Sequence, residues 1–181
     1  MILKKTLNFH YLDQKCVFRS INTKDITENY LEGLRNETKY LENKPQEISR
    51  SSQSEYITNI EQSNDNCICG LFVNDTLIGT AGIQNLDSND PISFGIFIFE
   101  TSFKGLGFGK VLVWASIYIS YYCTNQIAFF AGMKKENRPS LNSFISCGFK
   151  MTNETEDCYL VKLKFQNLVY PVGIKNIILF P

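Results

Sequence analysis

Residues 104–110 read Lys-Gly-Leu-Gly-Phe-Gly-Lys, with glycine at every second position, a base at each end and an apolar run behind that continues to Tyr122. Ahead of them, residues 92–99 read Ile-Ser-Phe-Gly-Ile-Phe-Ile-Phe, the pattern of an apolar strand buried on both faces. A strand, a glycine loop and a helix starting near Gly107 make a seat for an anion. Glycine lets the backbone approach closely and turn its N–H groups outward, and a helix N-terminus adds partial positive charge. Pyrophosphate is the natural guest. A glycine turn that only caps a buried helix is the other reading of this segment.

Three better-known glycine loops do not fit. A Walker loop requires Ser or Thr after its lysine, and Val111 follows Lys110, so a magnesium ion would lose its hydroxyl ligand. The dinucleotide fingerprint places a third glycine where Lys110 stands, and it opens its fold instead of arriving late. A kinase glycine loop joins two strands, and 181 residues are too few for the rest of that machinery.

Outward from the loop, residues 67–73 and 76–83 flank Asn74-Asp75 as a β-hairpin. Residues 7–12 and 15–20 pair across a turn at Asp13-Gln14, and a helix opens at Thr23-Lys24-Asp25 with Ile26, Tyr30, Leu31 and Leu34 on one side. A polar segment, 43–55, follows and holds a second short helix running into 56–62. After the helix at 107–122 come a strand at 126–132, a helix at about 137–147 and an alternating strand at 157–165. Early helices, antiparallel strands and then a strand–helix–strand run predict an α+β fold with one mixed sheet. No repeat or linker divides residues 1–181, which read as a single domain.

Composition narrows the chemistry. The chain is 44% hydrophobic and 13% aromatic with zero formal net charge, which suits a globular protein and suggests neither a nucleic-acid nor an anionic-membrane partner. The apolar run at 111–122 is shorter than the roughly 18–20 residues of a membrane span, and residues 1–10 lack a secretory signal. A cytoplasmic protein is expected. The six cysteines have no framework spacing and read as reduced, mostly buried thiols; Cys67 and Cys69 share a strand face but have no second pair for zinc. No metal is expected. His10 is the only histidine, and nothing beside it builds a nucleophile–base pair.

The second informative segment is Asn137 to Phe149, Asn-Arg-Pro-Ser-Leu-Asn-Ser-Phe-Ile-Ser-Cys-Gly-Phe. With the glycine loop it resembles the GNAT (Gcn5-related N-acetyltransferase) family. The first family motif, Gln/Arg-x-x-Gly-x-Gly/Ala, falls on residues 104–109, with Lys104 in place of the usual Gln or Arg. The second, Asn-x-x-Ala/Ser-x-x-x-Tyr-x-x-x-Gly-Phe, falls on Asn137, Ser140, Gly148 and Phe149, with Phe144 at the tyrosine. The likeness extends over about 15–165, leaves 166–181 as an extension, and is greatest to the RimJ/RimL-like branch.

The resemblance implies a mostly antiparallel sheet flanked by helices, with an acetyl-CoA cleft between the splayed fourth and fifth strands. Backbone groups of Ile98, Phe99 and Glu100 would hold the pantetheine arm. Lys104, Gly105, Leu106, Gly107, Phe108, Gly109 and Lys110 would seat the pyrophosphate, and Asn137, Ser140 and Phe144 would face the cofactor from the next helix. A neutral amine attacks the thioester directly, with a strand N–H available to stabilise the developing oxyanion. The family's acidic position falls on Ser93. Glu100 is then the candidate base or a solvated carboxylate, with Asn137 and Ser143 as further catalytic candidates. Arg35, Asn36, Glu37 and Tyr40 fall where relatives bind the acceptor, either gripping it or lying idle on the surface. The expected activity is acetyl transfer to a primary amine, first a nucleotide-linked amino sugar and second a protein N-terminus, with a non-catalytic acyl-CoA-binding domain as the alternative. The apolar tail 177–180 should pack on the domain or on a second copy in a homodimer.

Overall fold

The computed structural model describes residues 4–36 and 47–181. One nine-stranded sheet carries the fold, in the order β7-β8-β6-β5-β4-β3-β2-β1-β9. The strands are β1 (Thr6–Tyr11), β2 (Gln14–Ser20), β3 (Cys67–Val73), β4 (Thr76–Gln84), β5 (Ile92–Ile98), β6 (Ala128–Lys134), β7 (Lys150–Glu154), β8 (Cys158–Lys164) and β9 (Ile174–Phe180). All neighbours run antiparallel except β5 and β6. The fold is therefore the mixed α+β sheet that the order of elements predicts.

Two hairpins set the register of the first half. Asn74 and Asp75 (φ 46° and 68°) and Leu12 and Asp13 (φ 50° and 60°) take left-handed conformations, the geometry of a two-residue turn that matches strand twist. The first turn thus sits one residue earlier than Asp13-Gln14. The helix expected from Thr23 begins later. Asn22 and Asp25 cap each other around a single 3-10 turn, Thr23–Asp25, and Arg19 grips Asp25 at 2.7 and 2.9 Å. Helix α1 follows at Glu28–Asn36, and α2, capped by Ser49, spans Arg50–Glu61. Both cover one face of the sheet, over Ile21, Ile68, Phe72, Leu77 and Phe99.

The other face carries α3 (Phe108–Thr124) and α4 (Arg138–Ser146). Every residue of α3 from Val111 to Ile117 is buried, so this helix is apolar all round because it is enclosed. Trp114 is fully buried, edge-on to Phe9 of β1 at 5.2 Å. Ser116 settles its hydroxyl on the Leu112 carbonyl at 2.8 Å. Cys16, Cys67, Cys69 and Cys147 are buried and none of the six cysteines forms a disulfide; burial pushes the Cys16 thiol up to about 11. None of the described helices is long and apolar enough to cross a membrane.

The reading of β5 and the number of strands change, while the tail packs on the domain, one of its two expected outcomes. Strand β5 is not enclosed on both faces throughout: Ile92 and Phe94 are buried, Gly95 is exposed and Ile96–Ile98 are half-buried. The cause is local, because β6 pairs with β5 only at Ile92↔Phe129 and Ser93↔Phe130 and then departs. Strand β7 escapes sequence reading because Lys-Met-Thr-Asn-Glu is exposed at every position and carries no apolar alternation. The C-terminal tail is a regular strand, β9, that pairs with β1 from Thr6↔Phe180 to Tyr11↔Ile174.

Truncation after Phe165 therefore strips β1 of its outer neighbour and bares its edge. Such a chain should lose solubility and melt earlier, with size-exclusion elution showing association. An unchanged melt and elution volume would make the tail a passive appendage.

Candidate active site

The departure of β6 leaves a wedge along β5. At the open end Phe99 N–H and Glu100 N–H both donate to the Ile78 carbonyl, at 3.1 and 3.2 Å. Bonded positions alternate along an antiparallel pair. With Phe99 turned to β4, the backbone groups of Ile98 and Ile96 face the side that β6 has vacated. Phe99 itself is buried, edge-on to Tyr30 of α1 at 5.5 Å, and it lies so close to Gly33 that a Cβ there would collide with it.

Beyond β5 the chain makes a 3-10 turn, Thr101–Phe103, capped by Glu100. The Glu100 carboxylate accepts from the Ser102 hydroxyl at 2.9 Å, from Ser102 N–H and from the Asn29 amide of α1. The Ser102 hydroxyl first, then Asn29, holds its pKa below the usual carboxylate range.

The glycine loop then steps twice through left-handed conformations, Gly105 at φ 80° and Gly107 at φ 85°, which glycine alone takes freely. Gly107 is the cap of α3 and offers no side chain to it. The first helical bond is Val111 N–H to the Gly107 carbonyl, at 3.3 Å, so the N–H groups of Phe108, Gly109 and Lys110 have no acceptor inside the helix. Space is open where a Gly105 Cβ would stand, and the Lys110 side chain folds back toward Gly107. Below the loop, the Tyr11 hydroxyl donates to the Leu106 carbonyl at 3.3 Å.

Helix α4 closes the other flank. The Asn137 side chain caps it by accepting from Ser140 N–H at 3.3 Å. The Ser143 hydroxyl, bonded to the Pro139 carbonyl, stands 2.7 Å from where a Gly109 Cβ would be. Cys147 donates to the Lys110 carbonyl at 3.2 Å, so α3 and α4 meet through a glycine and a thiol. Burial raises the Cys147 thiol to about 12, which keeps it a neutral donor.

Residues 15–150 match the acetyltransferase (GNAT) domain family. The chain is a member of the GNAT acetyltransferase family. No curated protein sequence matches it. Among solved structures, Mycobacterium smegmatis RimJ in complex with CoA-disulfide superposes with a TM-score of 0.76 at 12% identity, over 89% of this chain and 88% of that one. The spermidine N-acetyltransferase of Vibrio cholerae in complex with CoA and spermine gives 0.72 at 18%, over 84% and 96%. The N-acetyltransferase PseH of Campylobacter jejuni gives 0.62 at 19%, over 81% and 97%. At such identities the likeness is one of fold.

On this GNAT frame the candidate residues separate into groups. Ile98, Lys104 to Lys110, Asn137, Ser140 and Ser143 gather at the wedge and the two helix starts. Phe99 stands apart, its side chain in the core and its N–H taken by β4. Phe144 is 1% exposed, edge-on to Phe149 at 5.0 Å, and belongs to the main core. Ser93 lies where β5 and β6 are still paired, about 16 Å along the strand from Ile98. Arg35 ties α1 to the segment before α2, bonding Glu28 at 2.9 Å and the Ile48 carbonyl at 3.1 Å. Asn36 is exposed at the end of α1; Tyr40 and Glu37 lie outside the described residues. Among the described residues no cluster of His, Cys, Asp or Glu could hold a metal.

Sequence reading passes over Tyr11, Asn29, Ile96 and Cys147. Only Tyr11 leaves a trace, as the last inward position of the alternating Leu7, Phe9, Tyr11 series.

Gly107→Val would demand a left-handed valine and drive its Cβ to 2.6 Å from the Tyr11 hydroxyl. Calorimetry with CoA should show affinity down by at least about tenfold, while strain of about 1–2 kcal/mol leaves a cooperative melt. Unchanged affinity would mean that the loop only starts a helix.

Proposed function

We propose that the protein is an acetyl-CoA-dependent N-acetyltransferase of the RimJ/RimL-like branch that acts on a primary amine. The observation that carries this reading is continuity: the open backbone edge of β5 runs into a glycine loop and an uncapped helix start. That path offers alternate donors and acceptors for a pantetheine arm and then a cluster of N–H groups for a pyrophosphate.

Ile96 and Ile98 would bind the pantetheine amides, and an outward N–H of the same strand can donate to the thioester carbonyl. The N–H groups of Phe108, Gly109 and Lys110 would hold the pyrophosphate, with Lys104 and Lys110 adding charge. Asn137 and Ser140, at the start of α4, line the opposite wall with Ser143. Acetyl-CoA supplies an activated acyl thioester whose thiol, of ordinary pKa about 8.5, needs little help to leave.

Glu100 stands where α1 meets the end of β5, so a carboxylate faces the side from which an amine would come. Held below its usual range, it is charged at neutral pH and suits orienting an ammonium better than removing a proton. The proton then leaves through water. For the acceptor, a nucleotide-linked amino sugar requires Arg35 to exchange Glu28 for a phosphate, whereas a protein N-terminus requires only the carboxylate. A CoA-binding domain without catalysis is the second reading, favoured by the buried Phe144 and by Ser93 in the closed part of the sheet.

Thiol release from acetyl-CoA on adding a nucleotide-linked amino sugar, a peptide with a free N-terminus or spermine separates these readings. Release with none, despite tight CoA binding, would favour the binder.

The pH profile tests Glu100. Its folded pKa is lowered, so it is already ionised above the acid range and the acidic limb of kcat/KM belongs to the acceptor amine. Glu100→Gln should lower kcat/KM by less than about tenfold, as an exposed ion pair allows, and leave that limb in place. Loss of the limb would make Glu100 the base.

A further inference from the structure

We infer that Tyr11 is a positioning residue for the cofactor loop, supplied by a part of the chain outside the family match. The inference rests on the proposed seating of CoA at residues 105–110. Glycine populates both signs of φ about equally, so sterics alone do not hold Gly107 at φ 85°. The peptide joining Leu106 to Gly107 can rotate, turning either its N–H or its carbonyl outward.

The Tyr11 hydroxyl makes the choice. It donates to the Leu106 carbonyl at 3.3 Å and so fixes that oxygen toward the sheet. The described peptides are all trans, and in a trans peptide the N–H points opposite to the C=O. The Gly107 N–H is thereby turned away from Tyr11, to the outer side where the α3 N–H groups are open. Rotated the other way, the Leu106 oxygen would face the pyrophosphate and repel it.

Tyr11 is well held for this task. It is 3% exposed, edge-on to Phe108 at 5.1 Å, on a strand bonded to β2 on one side and β9 on the other. The family match begins at residue 15 and ends at residue 150, so β1, Tyr11 and β9 lie outside it. A bare glycine next to Tyr11 completes the contact, since a Cβ on Gly107 would press on its hydroxyl.

Tyr11→Phe keeps the ring and drops only the hydroxyl, and the exposed Leu106 can pass its carbonyl to water. The intact protein and the variant are compared by CoA calorimetry, thermal melting and kinetics with varied acetyl-CoA. Loss of one neutral hydrogen bond predicts that Kd for CoA and KM for acetyl-CoA rise about five- to tenfold. The melting temperature and kcat at saturating acetyl-CoA should stay put. Equal CoA affinity in both proteins would overturn the positioning role and leave the proposed function standing. Affinity and melting temperature falling together would also overturn it, marking Tyr11 as a general structural residue. A wild-type protein that does not bind CoA would overturn both.

Discussion

The structure turns on the parting of two neighbouring strands. β5 is committed to β4 along its length, from Gln84↔Ser93 to Gly79↔Ile98, and β6 is committed to β8 from Ala128↔Lys164 to Lys134↔Cys158. Between them only two residue pairs form. The two halves of the sheet diverge, and the strand backbone facing the gap lacks its ladder partner. Unpaired backbone groups away from water are costly, so a wedge of this kind persists only if water or a ligand can reach it. The half-exposed Ile96–Ile98 stretch meets that condition, and the same geometry makes it a place for an extended, amide-bearing ligand.

Close backbone approach fixes where the wedge leads. At the end of β5, Gly33 admits Phe99 against α1, and the Glu100 carboxylate locks onto Asn29 and Ser102. A few residues later Gly109 admits Ser143 of α4, and Cys147 reaches the Lys110 carbonyl. One short stretch of chain is thus clamped by α1 at one end and by α4 at the other. On the proposed function, donor and amine would meet at that stretch, and holding two reactants in line supplies much of the acceleration a direct transfer needs.

What the sequence discloses follows from how local each cause is. The Asn74-Asp75 hairpin, the enclosed α3 and the glycine loop are written in neighbouring residues, and all three stand where pattern and turn chemistry place them. Phe144 is different. An aromatic residue on a helix with apolar neighbours satisfies a core position and a cleft position equally well, and only packing against Phe149 decides. Arg35 reads as an acceptor grip or an idle surface residue, whereas Glu28, two helical turns back, and the Ile48 carbonyl claim its guanidinium. β7 has no apolar face to announce it and exists because β8 offers an edge. Tyr11 meets Leu106 across most of the matched domain, a contact that no local pattern encodes.

The last of these has a wider physical meaning. A loop built from glycines gains close approach to an anion and loses conformational definition, because the residue that permits the left-handed step does not enforce it. Definition must then come from outside the loop. Here the family core supplies the glycines, the helix start and the packing of α4. The strand that reaches the Leu106 carbonyl belongs to the β1–β9 edge, outside the family match. That edge also ends the sheet: β9 covers β1, and Lys175 faces Asp13 at 3.5 Å beside the first turn. The strand that β9 covers at the sheet margin is therefore the same strand whose Tyr11 reaches the Leu106 carbonyl of the glycine loop.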